Sequence, residues 1–310
     1  MIVAGLGDAA RTHIYALERI TGTEVVAGVD TAPGRDLVFR EHAVPVYRTL
    51  RDASSRHACD VVVIATPTST HAAVCAEAAG CFPAARILVE KPAADNLPDA
   101  RHVLADIGGR QPVDVAFHMA FSPEVTWGAG LAAASEAELG GPAAIEASFA
   151  DPYQERFEQA RASLGSSWID SGINSLSVIS RFASLTGRES LRRISSERHS
   201  AFEARIRCRA RDQDFTALIL TSWHVTDPAK ATRITFQSGA QLVLDHTAVA
   251  GYLIQDGHVT AISGSDREIP RRERHYLALY DWWLTRGNPV FPAAASLRLH
   301  ELLLGQPTRD

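Results

Sequence analysis

"MIVAGLGDAARTHIYAL", residues 1–17, runs from a short apolar stretch through two glycines into a helical pattern with Ala10, Ile14 and Leu17 along one side. A strand, a glycine turn and a helix in that order form the opening of a parallel α/β unit. Gly5 would make the tight turn, and Gly7 would let the backbone approach a pyrophosphate. Ala10 stands at the third position of G-x-G-x-x-A, where a small residue lets helix and strand pack closely. Asp8 and Ala9 complete the cradle, and the helix N-terminus offers free N–H groups to phosphate oxygens. By itself this turn is a weak signal. Asp30, twenty residues past Ala10 at the end of the next apolar run "EVVAGVD", strengthens it. A carboxylate there can bind the ribose hydroxyls of NAD and would repel a 2′-phosphate. Arg35, a few residues on, keeps NADP possible, and a mere turn-capping role for Asp30 stays open.

Outward from this unit the same rhythm continues. "VPVY" (44–47), "DVVVIAT" (60–66), "RILVE" (86–90) and "VDVAFH" (113–118) read as further strands, with helical stretches between most of them. Crossovers of this length predict an α/β Rossmann domain over residues 1–120, a doubly wound parallel sheet. From residue 121 to 310 the pattern differs. "FEARIRCRA" (202–210) alternates apolar and charged residues, as a strand with one wet face does. "FTALILTSW" (215–223), "ATRITFQ" (231–237), "AQLVLDH" (240–246), "YLIQ" (252–255) and "HVTAIS" (258–263) follow it. Ser238-Gly239 and Asp256-Gly257 sit where two-residue hairpin turns would. The second domain is therefore expected to be α+β, with a large, mostly antiparallel open sheet. Helices are expected at about 131–139, 170–185, 272–286 and 296–304.

Composition narrows the function classes. A chain of 310 residues suffices for two domains. The net charge of −5 and a lysine count of two, Lys91 and Lys230, argue against a nucleic-acid surface. Apolar runs such as "VVVIA" (61–65) are too short for a membrane span. "MIVAG" lacks the features of a secretory signal, and cysteines 59, 75, 81 and 208 show no C-x-x-C spacing. The expectation is a cytoplasmic protein with reduced thiols. Its histidines lack the spacing of a helical zinc site, so no metal is expected.

The residues that would carry chemistry lie at the ends of strands and in one later helix. "ATPTSTH" (65–71) follows the fourth strand. It reads as a helix entry capped by Thr68 or Ser69, and also as a cofactor wall formed by Thr66, Pro67, Thr68 and His71. "VEKPAA" (89–94) leaves the fifth strand at its carboxyl end, where open α/β sheets bind ligands, with Glu90 and Lys91 expected at the cofactor. In "SSWIDSGINSL" (166–176), Asp170 and Asn174 stand four residues apart, on one face of a helix. A capping aspartate with a polar neighbour is the plain alternative.

Together, "GLGDAARTH", "ATPTSTH", "EKP" and an aspartate-led helix resemble the glucose–fructose oxidoreductase and inositol dehydrogenase family, over essentially the whole chain. The sequence departs from many members in having Asn174 where a histidine stands and Ser177 where a second aspartate often lies. "IDSGINSLSVISR", "FHMAFSPEVTW" (117–127) and "ERHYLALYDWW" (273–283) are similar to the L-arabinose and D-galactose 1-dehydrogenase subgroup. The resemblance implies that Lys91, Asp170 and Asn174 surround the reacting carbon, with His118 and Trp223 as candidate sugar contacts. It also implies a homodimer or homotetramer pairing through the second sheet.

The chemistry can be argued independently. Oxidising an anomeric hydroxyl needs a hydride acceptor and a base, and a hemiacetal hydroxyl is acidic enough for a carboxylate to serve. Asp170 can accept the proton, Lys91 can stabilise the developing oxyanion, and Asn174 can hold the sugar. Trp168 is an open choice between core and substrate contact, as Trp223 is. Trp282 and Trp283 are expected to pack or to lie at an interface, and Arg205, Arg207 and Arg209 to line a solvated or partner-facing strand. The expected activity is NAD-linked oxidation of an aldose at C1 to the lactone. A reductase of a keto or imino group and a non-catalytic dinucleotide and sugar sensor are the alternatives.

Overall fold

The computed structural model describes residues 1–32, 44–195, 199–263, 268–285 and 291–306. Arg35 lies outside the described residues. The chain divides into two compact units: Met1–Phe117 with Tyr276–Glu301, and His118–His275 with Leu302–Asp310. The single boundary expected at residue 120 thus differs from the division found, because residues 276–301 return to the first unit.

The first unit is built on a six-stranded sheet in the order β3-β2-β1-β4-β5-β6. Its strands are β1 (Ile2–Ala4), β2 (Ala27–Val29), β3 (Val46–Tyr47), β4 (Val61–Ile64), β5 (Arg86–Glu90) and β6 (Val113–Ala116). All neighbours are parallel. This is the Rossmann order, and the chain reverses its winding between β1 and β4, which is where such sheets bind dinucleotides. Every residue of β1, β4 and β6 is buried, as strands covered on both faces must be.

The second unit carries an eight-stranded sheet in the order β14-β13-β12-β11-β7-β10-β9-β8. Among its pairings only β7–β10 is parallel. Six of its strands, β9 (Ala201–Ala210), β10 (Gln213–Ser222), β11 (Ala229–Phe236), β12 (Gln241–Asp245), β13 (Ala250–Gln255) and β14 (His258–Ser263), fall where alternation predicts them. β7 (Pro142–Ala150) and β8 (Ser184–Arg193) do not. β7 is alanine-rich, which local propensity favours as helix. It becomes a strand because Ile145, Ala147 and Phe149 alternate into the core between β10 and β11. β8 was expected to be partly helix, to residue 185, but the helix Ile173–Ile179 stops earlier. Two register breaks in β8 against β9 blur its alternation.

The two expected hairpins differ. Asp256 and Gly257 have φ of 50° and 77°, which is what a two-residue I′ turn requires. Around Ser238-Gly239, by contrast, the Phe236 N–H donates to the Ala240 carbonyl at 2.9 Å, leaving a three-residue loop with Gly239 at φ 86°. Arg205 and Arg209 are exposed on β9, with Arg209 paired to Asp214, as a solvated face predicts. In the first unit Trp283 is buried, its Nε1 donating to Asp114 at 2.8 Å, so it packs as expected. Among the described residues no helix is long and apolar enough to cross a membrane.

Candidate active site

In the first unit the site begins at Gly5. Its φ is 86°, and a Cβ there would lie 2.6 Å from the Ala65 carbonyl and the Thr66 nitrogen. The turn after β1 and the end of β4 therefore approach each other too closely for any side chain. Ala10 is fully buried, as close helix–sheet packing demands. The helix Asp8–Leu17 starts at Gly7 with no side-chain cap, so its first N–H groups remain for a ligand. Asp8 can contribute there only through its N–H, since a carboxylate does not hydrogen-bond a phosphate. Asp30 follows β2; its Oδ2 accepts from the Leu6 N–H at 2.8 Å and its Oδ1 from the Ala32 N–H at 2.7 Å. Both readings of Asp30 can hold together, because each carboxylate oxygen keeps a second lone pair. Reversed winding, a side-chain-free cradle, an uncapped helix start and a carboxylate at the end of β2 fit NAD.

Two expected cofactor residues are instead turned inward. His71 is 1% exposed, and its Nδ1 and Nε2 face the carbonyls of Pro92 at 2.9 Å and Thr66 at 2.8 Å. It braces the loops after β4 and β5 against each other, and burial lowers its pKa against the pull of the two carbonyls. Neither Thr68 nor Ser69 caps the helix His71–Cys81. Residues Thr68–Thr70 form a tight turn in which the Thr70 hydroxyl donates to the Pro67 carbonyl at 2.7 Å.

Glu90 is also buried. Its Oε1 accepts from His13 Nε2 at 2.9 Å and from the Tyr276 hydroxyl at 2.5 Å, and its Oε2 from the Lys91 backbone N–H at 3.2 Å. Because Glu90 only accepts, His13 donates through Nε2, while its Nδ1 lies 2.7 Å from the Tyr280 hydroxyl. Burial alone would raise the Glu90 pKa, but the hydrogen bonds and charge of His13, with Tyr276 and Lys91, bring it down to about 2. Glu90 thus fixes the backbone of Lys91 rather than presenting itself to a ligand. Beyond Pro92, the Ala93 N–H donates to His300 Nε2 at 2.8 Å, and His300 Nδ1 donates to the Ser296 carbonyl at 2.8 Å.

In the second unit β6 has ended, and His118 opens a tight turn, His118–Phe121, rather than closing a strand. Its ring lies nearly parallel to that of buried His275, with centroids 5.8 Å apart. A polar cluster that no motif announced lies nearby. Glu124 Oε1 accepts from Ser122 Oγ at 2.6 Å and meets His246 Nδ1 at 2.7 Å, while His246 Nε2 meets Thr232 Oγ1 at 2.9 Å. Glu124 and His246 are 122 residues apart, so sequence spacing held no sign of them.

Asp170 lies inside a π-type helical turn, Trp168–Gly172, that runs into the helix Ile173–Ile179, so it is not a helix cap. Such turns are frequent at functional sites. Asp170 is 8% exposed and Asn174 4%. Asn174 Nδ2 donates to the Asp170 backbone carbonyl at 3.3 Å, and Asn174 Oδ1 is buried without a partner among the described residues. The spacing of four holds, but the amide is tied to the backbone of Asp170, not to its carboxylate.

Neither candidate tryptophan offers a ring face to a ligand. Trp168 packs against Gly172, where a Cβ would come within 2.6 Å of its ring, and its Nε1 donates to the Leu303 carbonyl at 2.9 Å. Trp223 is 1% exposed, met edge-on by Tyr153 at 5.4 Å and Phe157 at 6.2 Å. Burial, then the charges of Asp170 and Asp151, push the Tyr153 phenol well up. Among the described residues no group of three or more His, Cys, Asp or Glu side chains is placed to hold a metal.

Two buried histidines give these units an acid limit. Burial pushes His275 down to about 3 and His300 down to about 4, against an ordinary 6.5. The unfolded chain therefore takes up protons that the folded chain refuses once pH falls below 6.5, and stability drops from there toward pH 4. Glu90, with its lowered pKa, begins to lose its contribution only below its ordinary 4.5. At about 1.4 kcal/mol per pH unit per histidine, the unfolding free energy should fall by about 2–4 kcal/mol between pH 7 and pH 5. Denaturant titrations at the two pH values check this, and His300→Gln should remove part of the slope, with His275 and His71 keeping the rest.

Sheet order, turn and carboxylate define an NAD-binding Rossmann domain. Residues 1–111 match the Gfo/Idh/MocA model, described as an oxidoreductase family with an NAD-binding Rossmann fold. No curated protein matches the chain. Similar solved structures include an oxidoreductase from Agrobacterium radiobacter in complex with NAD+, L-tartaric acid and magnesium. It has TM-score 0.80 and 18% identity over 97% of this chain and 93% of that one. The myo-inositol 2-dehydrogenase of Lactobacillus plantarum aligns at TM-score 0.77 and 15% identity, over 97% of this chain and 94% of that one. The UDP-N-acetylglucosamine 3-dehydrogenase of Acidithiobacillus ferrooxidans aligns at 0.76 and 18%, over 96% and 93%. At such identities the likeness is one of fold.

Proposed function

We propose that this protein oxidises the anomeric carbon of a cyclic aldose, of the L-arabinose or D-galactose type, to the aldonolactone. The observation that carries the reading is the buried Asp170–Asn174 pair in its π-type turn, with one amide oxygen left for a ligand. NAD, when bound, supplies the hydride acceptor. Asp170 takes the proton of the anomeric hydroxyl as the carbon–oxygen double bond forms. Lys91, its backbone set by Glu90, stabilises the negative charge developing on that oxygen. One Nδ2 hydrogen of Asn174 goes to the Asp170 carbonyl, and its unpartnered Oδ1 accepts from a sugar hydroxyl. His118 contributes a further polar contact to the sugar. Free cysteines at 59, 75, 81 and 208 suit a reducing compartment, and we assign the protein to the cytoplasm. Tyr252, Ile254 and Val259 are exposed on the second sheet and support pairing of subunits through it.

The test is the growth of reduced-nicotinamide absorbance with NAD, and separately NADP, against L-arabinose, D-galactose and D-xylose. Turnover of one sugar with NAD is the expected result. Silence across the panel with NAD binding intact would move the assignment to a reductase of a small keto or imino compound, or to a sensor.

A further inference from the structure

Of 31 basic side chains in the sequence, only Lys91 and Lys230 are lysines. Wherever this chain needs a cation on its surface it uses arginine. Lysine is kept at two places, and the first is the candidate catalytic Lys91. The second is near the start of β11 (Ala229–Phe236), where the backbone is pinned on both sides. The Lys230 N–H donates to Thr247 Oγ1 at 2.9 Å, and its carbonyl accepts from the His246 N–H at 2.9 Å.

The Lys230 ammonium lies 2.7 Å from Asp151 Oδ1, with the two side chains 11% and 9% exposed. Asp151 follows β7, and its Oδ2 accepts from Ser171 Oγ at 2.9 Å. Ser171 is the residue after Asp170, inside the same π-type turn. Two residues beyond Asp151, Tyr153 feels the charges of both Asp170 and Asp151. The ion pair is therefore joined by one hydroxyl to the turn that carries the candidate base. A nearly buried pair is weak evidence for stability, because desolvating both charges offsets most of their attraction. Arginine would also be the ordinary choice for such a pair, since its planar fork takes both carboxylate oxygens. Here Oδ2 already accepts from Ser171 Oγ, so a fork would have to share that oxygen with it. A lysine reaches Oδ1 alone and keeps two further N–H donors, which have no partner among the described residues.

We propose that Lys230 and Asp151 form a second polar subsite, which grips a hydroxyl group of a polyhydroxylated substrate away from the reacting carbon. The ammonium donates to the hydroxyl oxygen, and the carboxylate accepts its hydrogen. This rests on the sugar reading above, and it assigns recognition, not chemistry, to the pair.

The protein's two lysines make a direct test possible. Whole protein with NADH is acetylated by an amine-selective reagent, with and without L-arabinose, D-galactose or myo-inositol, and the rate at Lys230 is read by peptide mass. A polyol that binds the pair should slow Lys230 acetylation. In parallel, Lys230→Met should raise KM for an oxidised sugar by roughly 10- to 100-fold, with kcat and NAD affinity nearly unchanged. Lys230→Arg keeps the charge and should recover stability without recovering KM. If a sugar is oxidised while Lys230 acetylates at one rate throughout and Lys230→Met keeps its KM, the subsite is overturned and the sugar reading stands. If no sugar is oxidised but a polyol still protects Lys230, the subsite stands and the aldose reading falls. If nothing is oxidised and nothing protects Lys230, both fall.

Discussion

Asp170→Asn should lower turnover by roughly 100-fold or more while NAD binds almost as before. The replacement keeps the shape of the side chain and removes only its capacity to take a proton. The backbone carbonyl of Asp170 still receives Asn174 Nδ2, so the positioning amide stays in place. Asp170 belongs to the second unit, while the residues proposed to cradle the dinucleotide, Gly5, Gly7 and Asp30, belong to the first. Loss of a positioned base therefore appears in kcat with little change in cofactor affinity. Single-turnover rates and NAD fluorescence titration measure the two separately. Normal turnover in the variant would remove Asp170 from the chemistry.

Gly5→Ala should damage both stability and cofactor binding. At φ 86° an alanine is strained by itself, and its Cβ would sit 2.6 Å from backbone atoms of Ala65 and Thr66. Backbone cannot rotate away as a side-chain tip can, so the turn and the end of β4 must separate. We expect a loss of about 2–4 kcal/mol in unfolding free energy. A weakening of NAD binding of at least about tenfold should accompany it, as the helix start and Asp30 move together through the Leu6 N–H. Denaturant titration and NAD binding on the purified variant check both. Unchanged stability would mean that the approach is not as close as the backbone places it.

The first unit was legible because parallel strands buried on both faces are continuous apolar runs, and Gly5, Ala10 and Asp30 stand at spacings fixed by local geometry. The antiparallel strands from β9 onward were legible through alternation. β7 and β8 were not, since alanines at 143, 144, 147 and 150 favour helix and mask the short alternation of β7, and register breaks interrupt that of β8. The candidate site divides in the same way. Lys91, Asp170 and Asn174 sit in short motifs, and the sequence alone determined their identity and order. What each side chain touches was decided by the fold. Glu90 and His71 turn inward because His13, Tyr276, Thr66 and Pro92 surround them, and Trp168 is held by Leu303. The pairing of Lys230 with Asp151, and of Glu124 with His246, joins residues far apart in the chain. A hydrogen bond or ion pair acts over a few ångströms of space, whatever the separation in sequence. Local spacing therefore determined the motifs, and tertiary structure alone decided their partners.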